Sequence, residues 1–449
     1  MSKKIIVIGG GPAGLEAAKA AAQAGARVTL VSDSPLGGRA GWDSLVPSKV
    51  WLTAADACGS IAGAETLGLT RTEQPQPDAA AILSRLKTVA EQWSSQQRHQ
   101  IHALGLEVLN GVAAFESATD VVVKNGEGQI VARLAAEVVI IATGSVPFFP
   151  PNLKPDGKRI VAPRFMSQLQ TLPPSITVIG AGPTGSEFVY LFNRLGVNVT
   201  WLVDQYGVLP TFTREAGRLL AEVLVERGVN LVAGQMAAGF ETDEESVTVV
   251  TADGQRYPAA MAFLAIGRSP DLTRLNLEAA GLSIAAGQAP RVDDYGRTDV
   301  PYIYAIGDAA GAPMVANRAM AQAWVAGRHA ADAKTLPFKP DTAIAATYTE
   351  PQVAQVGVVE GTEITTVRVP FSDNLKANLL PESTGFVELA YAPDRRITGG
   401  VAVGPHAADV LAPVALAIQQ GASLDDLASL YGAHPTVSEL AFAAARSAG

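Results

Sequence analysis

Residues 3–33 read KKIIVIGGGPAGLEAAKAAAQAGARVTLVSD. Apolar residues Ile5 to Ile8 run into a glycine-rich turn, then a stretch of small residues with helical spacing, then a second apolar run that ends at Asp33. This is the pattern of strand, turn, helix and strand. Gly9, Gly11 and Gly14 form GxGxxG at the strand-to-helix junction. Missing side chains there let the backbone turn tightly and approach a pyrophosphate, and the helix N-terminus supplies amide donors and the positive end of its dipole. One such motif is a weak signal. Residues 175–204, SITVIGAGPTGSEFVYLFNRLGVNVTWLVD, repeat the plan with Gly180, Gly182 and Gly185. In both copies the helix is expected to stop near a glycine, Gly25 or Gly196, as at a left-handed helix terminus. Two dinucleotide sites are therefore expected, rather than a short-period repeat array.

The second strand of such a unit usually ends in an acid that binds ribose hydroxyls. Asp33 and Asp204 are the candidates, and the alternative is a polar strand end at the surface.

With 449 residues the chain is long enough for two or three domains, each with its own core. Hydrophobic residues at 48% and charged residues at 17% indicate a folded globular protein. A net charge of -9, without a long run of Lys or Arg, argues against nucleic acid or an anionic membrane as partner. Met1-Ser2-Lys3-Lys4 leads directly into Ile5, which leaves no room for a signal peptide, and no apolar run is long enough to span a membrane. A cytoplasmic location is expected. Cys58 is the only cysteine, which excludes an intrachain disulfide and a cysteine-based metal cage, and no metal site is expected.

Proline-rich stretches at 145–157, SVPFFPPNLKPDG, and 334–341, KTLPFKPD, mark crossings between domains. Residues 78–104 read as a polar-surfaced helix. Residues 112–143 and 240–266 alternate like strands and end in the glycine turns VVIIATG and AFLAIG. Beyond 340, strand-like stretches precede a helical pattern from His406 to Gln420 and another ending in Ala445.

ATG at Ala142–Gly144, AIGRSPD at Ala265–Asp271, YIYAIGD at Tyr302–Asp308, YTEPQVAQVG at 348–357 and HPTVSE at 434–439 follow the two glycine motifs in order. Along its whole length the chain resembles the pyridine nucleotide-disulfide oxidoreductases, the family that includes dihydrolipoamide dehydrogenase and mercuric reductase. The resemblance implies an α/β fold: two Rossmann-like dinucleotide-binding domains plus a C-terminal α+β dimerisation domain. It places an FAD-binding domain at 1–152 with 273–337, an NAD(P)-binding domain at 153–272 and the dimerisation domain at 338–449.

By that resemblance the first site holds FAD and the second NAD. Gly38, Ala142, Thr143, Gly144, Gly267 and Gly307 join the cofactor-binding positions. Asp308 bonds the FAD ribityl chain, or else caps a turn. The family's ribose-binding Glu aligns with Ser32 and Val203, one residue before Asp33 and Asp204. NADPH-using members tend to carry Ala at the position of Gly185 and Arg at those of Asp204 and Pro210. An Asp would repel the 2'-phosphate, so NADH is favoured over NADPH.

The family's redox motif, GGTC followed by NVGC and PSK, is replaced here by GGRAGWDSLVPSK at 37–49. Ala40 and Leu45 stand where the two cysteines belong, and neither can ionise or exchange electrons. Cys58 is expected on the following helix as a buried, small apolar side chain. Lys49 and Glu187 match a pair beside the flavin ring, where the cation would stabilise the reduced ring; the alternative is two unrelated surface charges. His434 and Glu439 match the His-Glu pair that, in a homodimer, reaches the partner subunit's active site. With no thiol to serve, His434 either protonates another acceptor or is a structural remnant. Gly432 occupies a place where the family often has a second His.

The expected activity is an FAD-dependent NAD(P)H oxidoreductase that passes electrons from NADH to a small-molecule, non-thiol acceptor such as a quinone or dye. A planar acceptor could stack on the apolar face left by Ala40 and Leu45, against Trp42. A flavoprotein that binds NADH without turnover, as a sensor or structural partner, is the alternative. A reductase working through a partner's thiols is disfavoured, because reduced flavin normally reaches disulfides through the missing pair.

Overall fold

The computed structural model describes residues 2–70, 73, 75–381 and 384–448. Met1 and Gly449, the outer bounds drawn for the first and last domains, lie outside them. The chain divides into two compact units. One is Met1–Pro47 with Ser84–Phe148 and Gly267–Lys339; the other is Ser48–Leu83 with Phe149–Ile266 and Pro340–Gly449.

In the first unit, strand Lys4–Ile8 sits at the centre of a five-stranded parallel sheet. Arg27–Ser32 and then Glu107–Asn110 lie on one side, Val138–Ile141 and Ile303–Ala305 on the other. Lys4–Ile8, Val138–Ile141 and Ile303–Ala305 are almost uniformly apolar because both faces are covered there, whereas the edge strand Glu107–Asn110 is largely exposed. On one face, helices Pro12–Gln23 and Ala316–Ala330 meet through alanines, including Ala17, Ala21, Ala323 and Ala326. At Gly327 a β-carbon would run into the Ala17 carbonyl, so only glycine permits this approach. The other face is covered by the antiparallel strands Val112–Phe115, Asp120–Lys124 and Ile130–Ala135, whose Phe115, Val121 and Val123 pack on Ile6, Ile8 and Val139.

The second unit repeats this plan and adds to it. Its parallel sheet runs in the order Asn230–Ala233, Asn198–Val203, Ser175–Ile179, Met261–Leu264, Ile160–Val161. An antiparallel ribbon, Ala237–Thr242, Val247–Thr251 and Arg256–Ala259, covers it through Val247 and Val249. Past residue 340 a five-stranded antiparallel sheet carries helices that include Ala412–Gln420 and Glu439–Arg446. Arg368 in that sheet lies 3.9 Å from the Phe386 ring centroid and reaches both carboxylate oxygens of Glu215, at 2.8 and 2.7 Å, on helix Arg214–Glu226. Those bonds hold the Glu215 carboxyl below its usual range. The fold class is the one expected: α/β with two Rossmann-like sheets and a C-terminal α+β layer.

Two local expectations differ. The pattern from His406 to Gln420 is two helices, Ala407–Val410 and Ala412–Gln420, because Pro413 in the first turn of the second has no amide to donate. Cys58 lies on helix Leu45–Ala62 as expected but is half-buried. Leu52 and Ala55 occupy that helix's buried face, and Cys58 sits at its edge between exposed Ala57 and Ser60.

Candidate functional site

The first glycine turn is a set of steric requirements. Gly9 has φ +117°, and a β-carbon on it would strike the Ala142 carbonyl; one on Gly14 would strike the Gly9 carbonyl. Gly38, at φ +56°, would place its β-carbon 2.9 Å from the Gly11 Cα. Gly11 is different. Its backbone is extended, φ −77° and ψ −177°, which any residue adopts, and a β-carbon there would meet no described atom within 4 Å. Neither backbone nor packing asks for glycine at this point, whereas a ligand lying against the N-terminus of helix Pro12–Gln23 would. The donor set and the open space fit the pyrophosphate of a dinucleotide.

The three motif glycines of the second turn match Gly9, Gly11 and Gly14. A β-carbon on Gly180, φ +106°, would strike the Ala265 carbonyl, and one on Gly185 the Gly180 carbonyl, while Gly182 is extended with nothing described within 4 Å. Ala142 of ATG and Ala265 of AIG thus do the same work in the two units.

The acids at the strand ends are not alike. Asp33 is exposed and paired with Arg274 at 2.6 Å, whereas Ser32 is buried and its hydroxyl donates to the Ser34 carbonyl at 2.8 Å. Asp204 accepts from the Tyr206 amide at 2.9 Å, and Val203 is fully buried.

In the first unit, Asp308 follows Gly307 (φ +63°) in the short turn Gly307–Ala310. The Gly307 amide donates to Gln322 at 2.9 Å. Asp308 accepts from the Ser145 hydroxyl at 2.5 Å, and that hydroxyl accepts from Arg268 Nε at 2.7 Å. Burial holds the Arg268 guanidinium below its usual range, with the Asp308 charge working the other way. Gly267, φ +129°, accepts from the Phe148 amide at 3.0 Å. Thr143 has its hydroxyl oxygen shielded from solvent without a partner among the described residues, and its carbonyl accepts from Arg39 Nη2 at 2.6 Å. Gly144 turns the chain at φ +73°.

In the second unit, Lys49 donates to both carboxylate oxygens of Glu187 at 2.8 Å. Glu187 is 7% exposed and also accepts from the Tyr348 amide at 3.1 Å. Lys49 Nζ lies 4.5 Å from the Tyr348 ring centroid. The pair is therefore built and caged, unlike two unrelated surface charges. Burial and the Glu187 charge push the Tyr348 hydroxyl pKa up. His434 Nδ1 lies 3.0 Å from Glu439, which also accepts from the Thr436 amide at 2.9 Å. Burial raises the Glu439 pKa, but these two bonds together with the neighbouring charges, Arg446 among them, hold the carboxyl below its usual range.

Sequence reading passed over Arg39, Ser145, Arg268, Arg274 and Tyr348. Four of them sit inside or beside quoted motifs: Arg39 in GGRAGW, Ser145 after ATG, Arg268 in AIGRSPD and Tyr348 opening YTEP. For Arg39, Ser145 and Arg268 the signal is position next to a glycine turn, and for Tyr348 it is only membership of a motif; the partners of all four are remote in sequence.

Among the described residues no helix is long and apolar enough to cross a membrane. Comparison with known proteins matches residues 3–323 to the model of the pyridine nucleotide-disulphide oxidoreductases and residues 344–445 to the dimerisation domain of the same family. An NAD(P)H dehydrogenase (quinone) of Mycobacterium tuberculosis is 31% identical, covering 99% of this chain and 94% of the relative. Dihydrolipoyl dehydrogenase 2 of Haloarcula marismortui is 32% identical over 99% of this chain and 96% of its own. The crystal structure of LpdA from Mycobacterium tuberculosis superposes with a TM-score of 0.92 at 31% identity over 100% of both chains. RclA from Escherichia coli, a HOCl-induced flavoprotein disulfide reductase, shares the fold with a TM-score of 0.84 at 20% identity over 99% of each chain. With both family models matched and relatives of this similarity along its whole length, the chain belongs to the pyridine nucleotide-disulphide oxidoreductase family and is a flavoprotein of the oxidoreductase class.

Proposed function

We propose that this chain is an FAD-dependent oxidoreductase that takes electrons from NADH and delivers them to a non-thiol acceptor such as a quinone or dye, without a redox-active disulfide. The observation that carries the reading is the loss of the dithiol beside two intact glycine turns. Ala40 and Leu45 hold the cysteine places, and the single Cys58 is half-buried on the helix that Leu45 begins. FAD, when bound, supplies the two-electron chemistry. Gly9, Gly11, Gly14 and Gly38, with Ala142, Thr143, Gly144, Gly307 and Asp308, would hold it in the first unit. Gly180, Gly182, Gly185 and Asp204 would hold the nicotinamide nucleotide in the second, with Gly267 shaping the turn after AIG.

Lys49 keeps a fixed cation on Glu187, the pair that the resemblance puts beside the flavin ring. His434, aligned by Glu439, is assigned the proton-handling role, and the C-terminal sheet the homodimer contact. The three domains expected from the sequence are proposed on the same footing. That a relative of similar length is a quinone-linked NAD(P)H dehydrogenase supports the acceptor class.

Anaerobic steady-state assays with NADH test this reading. Turnover is expected with quinones and dyes and not with lipoamide or glutathione disulfide; the reverse pattern would sink the proposal. NADH is expected to exceed NADPH by about tenfold in kcat/KM, because Asp204 opposes a 2'-phosphate. Equal efficiencies would remove Asp204 as the selector. Light scattering is expected to return twice the chain mass, and a monomer at micromolar concentration would leave His434 without an active-site role.

A further inference from the structure

We propose that Arg39 and Asp271 form a latch that sets how fast FAD leaves the first nucleotide site. The proposal rests on the reading that this site holds FAD. Arg39 Nη1 donates to Asp271 at 2.6 Å and Nη2 to the Thr143 carbonyl at 2.6 Å, while the Asp271 amide donates to the Gly144 carbonyl at 2.9 Å. The three bonds close a ring around the turn Ala142–Gly144. That turn is the floor of the glycine cradle: the Ala142 amide donates to Ile8 at 2.8 Å, and Ala142 fills the space in front of Gly9 and Gly14. Gly144 alone would leave the turn loose. Its nearest described neighbour, 4.0 Å from where a β-carbon would lie, is Arg39 Nη2 itself.

The charge chain continues outward. Arg274 lies 3.8 Å from Asp271 and 2.6 Å from Asp33, so the floor of the cradle and the acid at its strand end share one alternating network. Its inner and outer links differ in weight. The Arg39 side chain is 34% exposed and also bonds the Thr143 carbonyl, while that of Asp271 is only 11% exposed, so deleting Arg39 leaves a poorly hydrated carboxylate with the longer Arg274 contact alone. Arg274 and Asp33 are half-exposed, and such a pair contributes little. Arg39 stands where the family motif has Thr, which has no guanidinium to span the two partners. It is a positioning residue, acting through the turn.

FAD-loaded wild type, Arg39→Met, Asp271→Asn and the double variant are to be compared by the rise in flavin fluorescence after dilution, with thermal unfolding run in parallel. Each single variant is expected to release FAD about tenfold faster. The double variant is expected to be no faster than the worse single, since both changes weaken one ring. Arg274→Gln should change release by about twofold or less. If Arg39→Met does not fold, Arg39→Lys keeps the cation without the fork and is expected to release FAD faster than wild type. A wild-type rate in folded Arg39 and Asp271 variants overturns the latch alone. Wild-type protein that takes up no FAD overturns the cofactor reading and the latch with it.

Discussion

Anaerobic reduction is expected to finish after about one equivalent of dithionite or NADH per FAD, bleaching the flavin without a long-wavelength thiolate band. On the proposed reading the flavin is the one centre to fill. A relative with the dithiol takes up about two equivalents, and its half-reduced form shows charge transfer from a thiolate to oxidised flavin. Here Ala40 and Leu45 supply no sulfur. Cys58 is a single thiol on helix Leu45–Ala62, and burial raises its pKa against the opposing pull of Arg194, which lowers its thiolate fraction at neutral pH. Cys58→Ser is therefore expected to titrate like wild type. Uptake of a second equivalent, or a charge-transfer band lost in Cys58→Ser, would make Cys58 a redox centre and end the disulfide-independent reading.

How much of this was legible in the sequence depends on the range of each constraint. Gly9 and Gly14 are local: a positive φ at one and a carbonyl against the other follow from a tight strand-to-helix turn, and GxGxxG records that turn directly. The alternation of 112–143 likewise reports a strand's own geometry. Lys49 and Glu187 are named by motif, but their bonds join residues 138 apart in sequence, and only the fold closes them. Arg39 and Asp271 are 232 apart and carry no periodic signature, so a latch between two motif-borne charges was invisible until both turns were placed. The half-exposure of Cys58 escaped for another reason: composition speaks to a residue's preference for burial, and its angular place on one helix decides the outcome.

The two glycine cradles can be separated by substitution at the positions where the fold leaves room. Gly182→Val is expected to give a folded, yellow protein that dithionite bleaches as it does wild type but that NADH reduces at least about a hundredfold more slowly. Gly11→Val is expected to fold and to come out colourless. Both glycines are extended, both precede a proline, which itself favours extended backbone, and a β-carbon on either meets no described atom within 4 Å. A β-carbon is thus compatible with the polypeptide in each place, and a branched side chain on it is expected to occupy the space of a pyrophosphate lying on the helix N-terminus. Gly9→Ala and Gly180→Ala are the contrasting controls: at φ +117° and +106°, with a carbonyl in the way, each is expected to lower the unfolding temperature, because the protein itself needs glycine there. Loss of FAD in Gly182→Val with retention in Gly11→Val would exchange the two sites. Unchanged NADH reduction in Gly182→Val, with the substitution confirmed by mass, would show that the second turn holds no nicotinamide nucleotide.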